Sequence, residues 1–124
     1  MKFLSMIRIN ENSGLKPSEK LMSDMGKLME EATREGWLVG TEGLRPTSEG
    51  VRVRSRHGQV TLTDGPFTET KEVIGGYAII EAKSMQEAIG YTKRFLAVHG
   101  PEWDLECEIR PIGCGESAQQ AKAA

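Results

Sequence analysis

The sequence contains few aromatic residues, only two cysteines and no long hydrophobic run. Phe, Trp and Tyr make up 6% of the 124 residues. Cys107 and Cys114 do not have the spacing of metal ligands, and two cysteines do not make a disulfide scaffold. No apolar run approaches the ~20 residues that span a bilayer, and Arg8 interrupts the N-terminal run that a signal peptide would need. These absences predict a cytoplasmic protein with reduced thiols, no bound metal and no membrane association.

The charge balance argues against nucleic acid as a partner. The formal net charge is -2 and 27% of the residues are charged, so no strongly basic surface is expected. The chain also lacks the glycine patterns that cradle nucleotide phosphates, and we expect no cofactor. Its length indicates one domain at 1–113, followed by a mobile tail of small polar residues at 114–124. Domains of this size often gain stability by self-association.

Hydrophobic periodicity predicts four strands and two helices around an inserted hairpin. The strands are expected at 2–9, 37–44, 76–82 and 105–112, and the helices at 17–35 and between Ser84 and Gly100. Without the hairpin the order is βαββαβ, which predicts an α+β, ferredoxin-like antiparallel sheet with both helices on one face. The first strand is apolar on both faces. We therefore expect a homodimer through the open sheet face, with hairpins that frame the pocket mouth or cross to the partner.

The clearest local pattern is the β-hairpin, at about 51–63, with His57 and Gly58 as its turn residues. The residue pairs across it are then Val53 with Leu62, Ser55 with Val60, Arg54 with Thr61 and Arg52 with Thr63. One face is mainly aliphatic, and the other carries three arginines. That arginine face is either a solvated surface or a receptor for a carboxylate or an acidic partner.

The segment 63–72, which precedes a Gly-Gly pair, concentrates ionisable and backbone-permissive residues between two strands. In a structural interpretation, Asp64 caps a turn, the following Gly-Pro sets the backbone, and Phe67 anchors the loop to the core. In a functional interpretation, Asp64 ends a strand at the edge of a cleft, and Lys71 and Glu72 return toward it. A partly desolvated carboxylate beside an amine can act as an acid or a base. Lys71 could instead hold an anionic group or pair with a neighbouring glutamate.

Two further positions are candidates for the same site. Glu42 shares a predicted strand face with Leu38, where an unpaired carboxylate is costly, so it is either a site residue or a strand-end glutamate in water. Gly76 permits the close approach of a ligand or of another backbone. The two histidines have structural explanations, His57 in the hairpin turn and His99 at the end of the second helix.

Five segments along the chain together match a known pattern. They are Glu42-Gly43-Leu44-x-Pro46, Val51-Arg52-Val53, Asp64-Gly65-Pro66-Phe67-x-Glu69-Thr70-Lys71-Glu72, Gly75-Gly76-Tyr77 and Glu108-Ile109-Arg110-Pro111. They resemble the DGPF-domain branch of the YCII-related family. The resemblance implies a dimeric, barrel-like α+β bacterial protein, some of whose relatives are encoded beside or joined to sigma factors. The family's histidine in the first helix has no counterpart between Pro17 and Glu35, so its proposed His–Asp mechanism is not carried over.

The resemblance of these motifs to the family implies a candidate site. The predicted catalytic residues are Asp64, Lys71 and Glu72. The predicted substrate-binding residues are Glu42, Arg52, Phe67, Gly76 and Arg110. The first functional hypothesis is a cofactor-independent lyase or isomerase, acting by acid–base chemistry on a small anionic or hydroxylated molecule in a cleft near 64–72. The alternative is a non-enzymatic binding or regulatory module, for example a partner of a sigma factor.

Overall fold

Residues 1–113 form two α-helices and two antiparallel sheets. The computed structural model describes residues 1–113, and the tail predicted at 114–124 lies outside the described residues. The elements are β1 (Lys2–Ile9), α1 (Glu19–Glu35), β2 (Leu38–Gly43), β3 (Val51–Arg56), β4 (Gln59–Asp64), β5 (Val73–Glu81), α2 (Met85–Ala97) and β6 (Glu106–Pro111). Neither helix in this part of the chain has the length and hydrophobicity that a bilayer crossing requires.

The main sheet has the strand order β2-β5-β1-β6, and every neighbouring pair is antiparallel. Strands β3 and β4, which lie between β2 and β5 in the sequence, form a separate two-stranded sheet. This is the βαββαβ order with an inserted hairpin, so the α+β, ferredoxin-like prediction is confirmed. Within one chain the sheet is open and does not close into a barrel.

The core lies between the two helices and one face of the main sheet. Phe3 on β1 and Ile80 on β5 are directly paired, and their side chains are 1% and 2% exposed. Leu28 and Ala32 of α1 and Ala88 of α2 cover them. Small alanines at these positions allow each helix to approach the sheet closely, since a longer side chain would hold the layers apart.

Both helix starts are fixed by serine caps. The Ser18 side chain accepts a hydrogen bond from the Leu21 backbone N–H at 3.0 Å, so α1 begins at Glu19 rather than at the predicted Pro17. Ser84 caps α2 by accepting from the Glu87 backbone N–H at 3.2 Å, which the Ser84-x-x-Glu87 spacing in the sequence indicates. The α2 helix ends at Ala97, before the predicted Gly100 stop.

The hairpin register is confirmed at every predicted pair. The turn residues His57 and Gly58 have φ values of 51° and 82°, the left-handed conformation that a tight hairpin turn requires. All residues of β3 and β4 are exposed, and the two strands pack mainly against each other. The aliphatic face is therefore uncovered within the chain, with Val53 and Leu62 exposed by 65% and 68%.

A register shift in β2 corrects one prediction about the sheet. The shift lies between Leu38 and Gly40, so Leu38 pairs with Ile80 whereas Glu42 pairs with Tyr77. Because Ile80 and Tyr77 point to opposite faces of β5, Leu38 and Glu42 do not share a face. The sequence could not reveal this, because a single extra residue reverses the alternation downstream of it.

Candidate functional site

An apolar cleft of about 400 Å³ lies between the helices and the main sheet. We call it the interlayer cleft. The side chains and backbone around it come from β1, α1, β2, β5, α2 and β6, and include Met25, Met29, Trp37, Tyr91, Thr92, Phe95, His99 and Cys107. Its volume falls within the range of small-molecule sites in proteins. The cleft is therefore large enough to hold a small organic molecule.

Two stacked aromatic rings form one wall of the interlayer cleft. The centroids of Trp37 and Tyr91 lie 4.3 Å apart with an interplanar angle of 4°. The indole N–H of Trp37 donates to Glu35 Oε1 at 2.9 Å, and Arg94 Nη1 donates to the same oxygen at 3.0 Å. The hydrogen bond from Trp37, followed by the one from Arg94, lowers the pKa of the Glu35 carboxyl. This arrangement joins α1 to α2 and fixes the orientation of the indole ring.

Thr92 provides a buried polar group on the same wall. The residue is 6% exposed. Its hydroxyl oxygen is buried and has no hydrogen-bond partner within residues 1–113. Buried hydroxyl groups are normally satisfied, often in a helix by the carbonyl one turn earlier. An unsatisfied hydroxyl beside an apolar cleft marks a place where a ligand oxygen or nitrogen could complete the missing bond.

Two other polar side chains border the interlayer cleft. His99 has its Nδ1 atom 3.2 Å from the carbonyl oxygen of Phe95. Cys107 is half-buried; burial raises the pKa of its thiol, while a hydrogen bond with Ser5 acts in the opposite direction. A thiol with a raised pKa stays protonated and is a poor nucleophile. Cys107 therefore contributes packing and a weak polar contact to the cleft.

This group of residues was not among the sites predicted from the sequence. The available signal was the helical spacing of Thr92 and Phe95, which places them on one side of α2, with His99 following just after the end of the helix. That spacing also fits an ordinary buried helix face. Only the meeting of this face with Trp37 and the main sheet distinguishes a cleft from a closed core.

The segment that begins at Asp64 serves as a structural junction at the base of the hairpin. The Gly65 N–H donates to the Gly50 carbonyl at 3.0 Å, and the Phe67 N–H donates to Thr47 Oγ1 at 3.3 Å. The Glu11 carboxylate in turn accepts hydrogen bonds from the backbone N–H and the hydroxyl of Thr47. These contacts connect the hairpin to the loop after β1. Asp64 itself is exposed at the end of β4.

Arg52 and Phe67 pack together beside this junction. The guanidinium carbon of Arg52 lies 3.9 Å from the Phe67 ring centroid, and the same guanidinium is ion-paired with Glu69. The hydrogen bond from Arg52 is the main cause of a lowered pKa at Glu69. Phe67 is half-buried and lies outside the core cluster, so its predicted anchoring to the core is replaced by anchoring to the hairpin base.

The remaining predicted residues fall at separate places. Lys71 and Glu72 border a surface groove of about 420 Å³ with Arg8 and Thr70, and Arg8 Nε lies 3.8 Å from Glu72 Oε1. Glu42 and Gly76 border the interlayer cleft, where a β-carbon on Gly76 would stand 2.9 Å from the Glu42 carbonyl oxygen. Arg110, on the edge strand β6, has Nη1 3.9 Å from Glu108 Oε2. The structure therefore does not gather the predicted residues into one cluster, and their roles stay predictions.

Within residues 1–113, no group of three or more His, Cys, Asp or Glu side chains has an arrangement suited to a metal ion.

The family model of the YCII-related domain matches residues 1–99. The chain belongs to the YCII-related family. It is 31% identical over 94 residues to an uncharacterised protein of Rhizobium meliloti (strain 1021), across 76% of this chain and 74% of that protein. The YCII-related match includes β1, α1, β2, β5 and α2, which supply most of the interlayer cleft, and it ends before β6.

Two solved structures are similar to this YCII-related chain, with low sequence identity and low TM-scores. CutA from Xylella fastidiosa has 12% identity and a TM-score of 0.41, with coverage of 97% of this chain and 91% of that chain. The divalent cation tolerance protein from Thermus thermophilus has 16% identity and a TM-score of 0.40, with coverage of 98% and 93%. The ferredoxin-like fold is shown by the strand order and pairing within the chain itself.

Proposed function

We propose that this YCII-related protein binds a small, largely apolar molecule that carries a hydroxyl or carbonyl group, and that the interlayer cleft is the binding site. The unsatisfied Thr92 hydroxyl is the observation that carries this proposal. Leaving a buried hydroxyl without a partner costs about 1–3 kcal/mol. A ligand atom that bonds to this hydroxyl removes the cost in the bound state, which favours ligands with a polar group over purely apolar ones.

The walls of the cleft support an apolar ligand body. Trp37 and Tyr91 stack on each other in the wall, and Phe95 and the methionines add apolar surface. Aromatic side chains contribute large apolar areas to the burial of a ligand. Methionine side chains adapt to irregular shapes, so α1 can accommodate different ligand outlines.

Acid–base catalysis near Asp64–Glu72 is a separate and finer proposal. In it, Asp64 is the base, Lys71 stabilises an anion, and Glu42 or Glu72 is the second acid of a cofactor-independent lyase or isomerase. The groove formed by Arg8, Thr70, Lys71 and Glu72 offers cationic groups for an anionic ligand. The interlayer cleft and this groove thus provide two alternative locations, and variants can distinguish them.

A ligand screen that compares matched variants tests both locations. Small carboxylates, phenols and phosphorylated metabolites are added to the wild type and to Thr92→Val, Asp64→Asn and Lys71→Ala, and the thermal midpoint is measured. We expect ligand-induced shifts that Thr92→Val abolishes and that Asp64→Asn and Lys71→Ala retain. Shifts that Thr92→Val retains and that Asp64→Asn and Lys71→Ala abolish would place the binding site near Asp64–Glu72 instead. No shift for the wild type with any compound class would refute small-molecule binding.

A homodimer is the oligomeric state we propose. Its support is the uncovered aliphatic face of the hairpin and the apolar residues Leu4 and Met6 on the sheet face that the helices leave open. An isolated two-stranded hairpin is only marginally stable in water, so cover from a second copy would stabilise it. We also propose membership of the DGPF branch, which the sequence motifs support, and a cytoplasmic location.

A regulatory module is the second candidate function, and the arginine face of the hairpin favours it. Arg54 and Arg56 are exposed and make no ion pair within the described part of the chain. Such a face suits an acidic protein surface, for example on a sigma factor. Pull-down of a purified sigma factor by the wild type, and its loss in Arg54→Ala/Arg56→Ala, would support this role. Equal capture by both proteins would count against it.

A further inference from the structure

His99 lies at the boundary between two cavities. It borders the interlayer cleft on one side and, on the other, a surface groove that includes Lys20, Asp24 and Glu102. The imidazole is half-buried, and its ring is held by edge-on contacts with two aromatic rings. The centroid distances are 5.1 Å to Phe95 and 5.8 Å to Trp103. A titratable ring in this position can exchange protons with a bound molecule and with water.

One ring nitrogen of His99 is committed to the backbone. Nδ1 lies 3.2 Å from the Phe95 carbonyl oxygen, and a carbonyl oxygen can only accept a hydrogen bond. Nδ1 must therefore carry a hydrogen for this bond to form, whether the ring is neutral or charged. The neutral ring then has its acceptor lone pair on Nε2, which is the atom free to gain a proton.

No carboxylate within residues 1–113 forms an ion pair with the His99 ring. The ionisable side chains that border the same two cavities are Tyr91 and Cys107 in the cleft, and Lys20, Asp24 and Glu102 in the groove. Glu42 and Tyr77 also border the cleft, but their paired positions on β2 and β5 direct their side chains to the sheet face that the helices leave open. Asp24 is already hydrogen-bonded to Lys20 at 2.6 Å. Within residues 1–113 the His99 ring therefore has no ionic partner, which leaves Nε2 open to a group supplied by a ligand.

We propose that Nε2 of His99 accepts a proton from a weakly acidic hydroxyl group of the molecule bound in the interlayer cleft. The inference rests on the proposed binding function and names the chemical class of its ligand, an apolar molecule with an acidic O–H. In the transfer the ligand O–H bond breaks and the Nε2–H bond forms, which leaves an oxyanion beside an imidazolium. The step is a proton transfer only, and no atom changes its oxidation state.

A coloured probe tests the transfer directly. 4-Nitrophenol absorbs at a different wavelength after losing its proton, and 4-nitroanisole is its matched control because a methyl group replaces the acidic hydrogen. Binding of each compound to the full chain is measured by equilibrium dialysis. At a fixed pH, we expect protein to increase the phenolate absorbance of 4-nitrophenol. In the same samples, the NMR resonance of the His99 C2 proton should move toward its protonated position with 4-nitrophenol alone.

The second histidine supplies an internal control. His57 is exposed in the hairpin turn, so its resonance should not change with either probe, and His57→Gln should retain the absorbance change. His99→Gln should bind both compounds but lose the protein-induced increase in phenolate absorbance. Binding of both compounds with no response from His99 would overturn this inference and leave the proposed function intact. Failure of both compounds to bind would overturn both this inference and the proposed function.

Discussion

A β-carbon on Gly65 would stand 1.6 Å from the carbonyl oxygen of Thr47. This distance is far below any allowed contact, and the neighbouring atom is backbone, so it cannot move aside as a side chain would. The close approach explains why glycine follows Asp64. It also indicates that the segment joins the hairpin to the 3₁₀ turn at Thr47–Glu49.

Gly65→Ala is expected to destabilise the fold by about 3 kcal/mol or more, because the backbone at Thr47 must shift. Denaturant unfolding followed by circular dichroism measures the change in free energy. Gly26→Ala is the matched control: Gly26 is an exposed helix residue, and a β-carbon added there would have nothing within 4 Å. It should stabilise α1 by about 0.5–1 kcal/mol. Equal effects of the two substitutions would refute the close-contact explanation.

Thr92→Val should make the ligand-free protein more stable while it weakens ligand binding. Valine has nearly the same shape as threonine, and it removes the unsatisfied hydroxyl, so the free energy of unfolding should rise by about 1 kcal/mol. Thr92→Ser keeps the hydroxyl and loses a methyl group, so it should be destabilised but retain binding. A loss of stability in Thr92→Val would show that the hydroxyl has a partner in the folded protein.

Val53→Lys/Leu62→Lys should weaken self-association. The two residues are paired on the aliphatic face of the hairpin, and each charge would oppose burial against a second copy. Sedimentation equilibrium at micromolar concentration should show a dimer constant weakened by at least about tenfold. Thr61→Lys, on the arginine face, is the control and should leave association unchanged. A wild-type protein that is monomeric under these conditions would contradict the proposed dimer.

Glu35 should contribute to the loss of stability in acid. Hydrogen bonds from Trp37 and Arg94 lower its pKa in the folded state, so the unfolded chain binds the proton more readily. The contribution is therefore present above the ordinary glutamate pKa of about 4.3, and is lost as the pH falls through the lower folded value. Glu35→Gln should make stability less dependent on pH in that range. Glu30→Gln, on the same helix and without an ion pair in the described residues, should behave like the wild type.

The sequence was informative about local structure because the relevant interactions span few residues. The Ser84 cap, the hairpin turn at His57 and Gly58, and every hairpin pair follow from neighbouring side chains and backbone preferences. The order of strands and helices also sufficed to predict the ferredoxin-like sheet, since few topologies accommodate βαββαβ.

The site could not be assigned in the same way. The sequence places Asp64, Lys71 and Glu72 close together along the chain, but the turn at Gly65 and the start of β5 at Val73 carry them to different surroundings. The bulge after Leu38 similarly moved Glu42 to the other face of the sheet. Proximity in sequence does not fix side-chain direction when the backbone changes course between the residues.

The sequence by itself determined the elements, their order and the family, because periodicity, capping and motif spacing are properties of short segments. Tertiary structure alone decided that the Asp64 segment contacts Thr47, that Thr92 lacks a hydrogen-bond partner within residues 1–113, and that His99 borders two cavities. Each of these facts depends on side chains or backbone brought together from separate elements. Whether a polar group is satisfied depends on all of its neighbours in space, so it cannot be read from one segment.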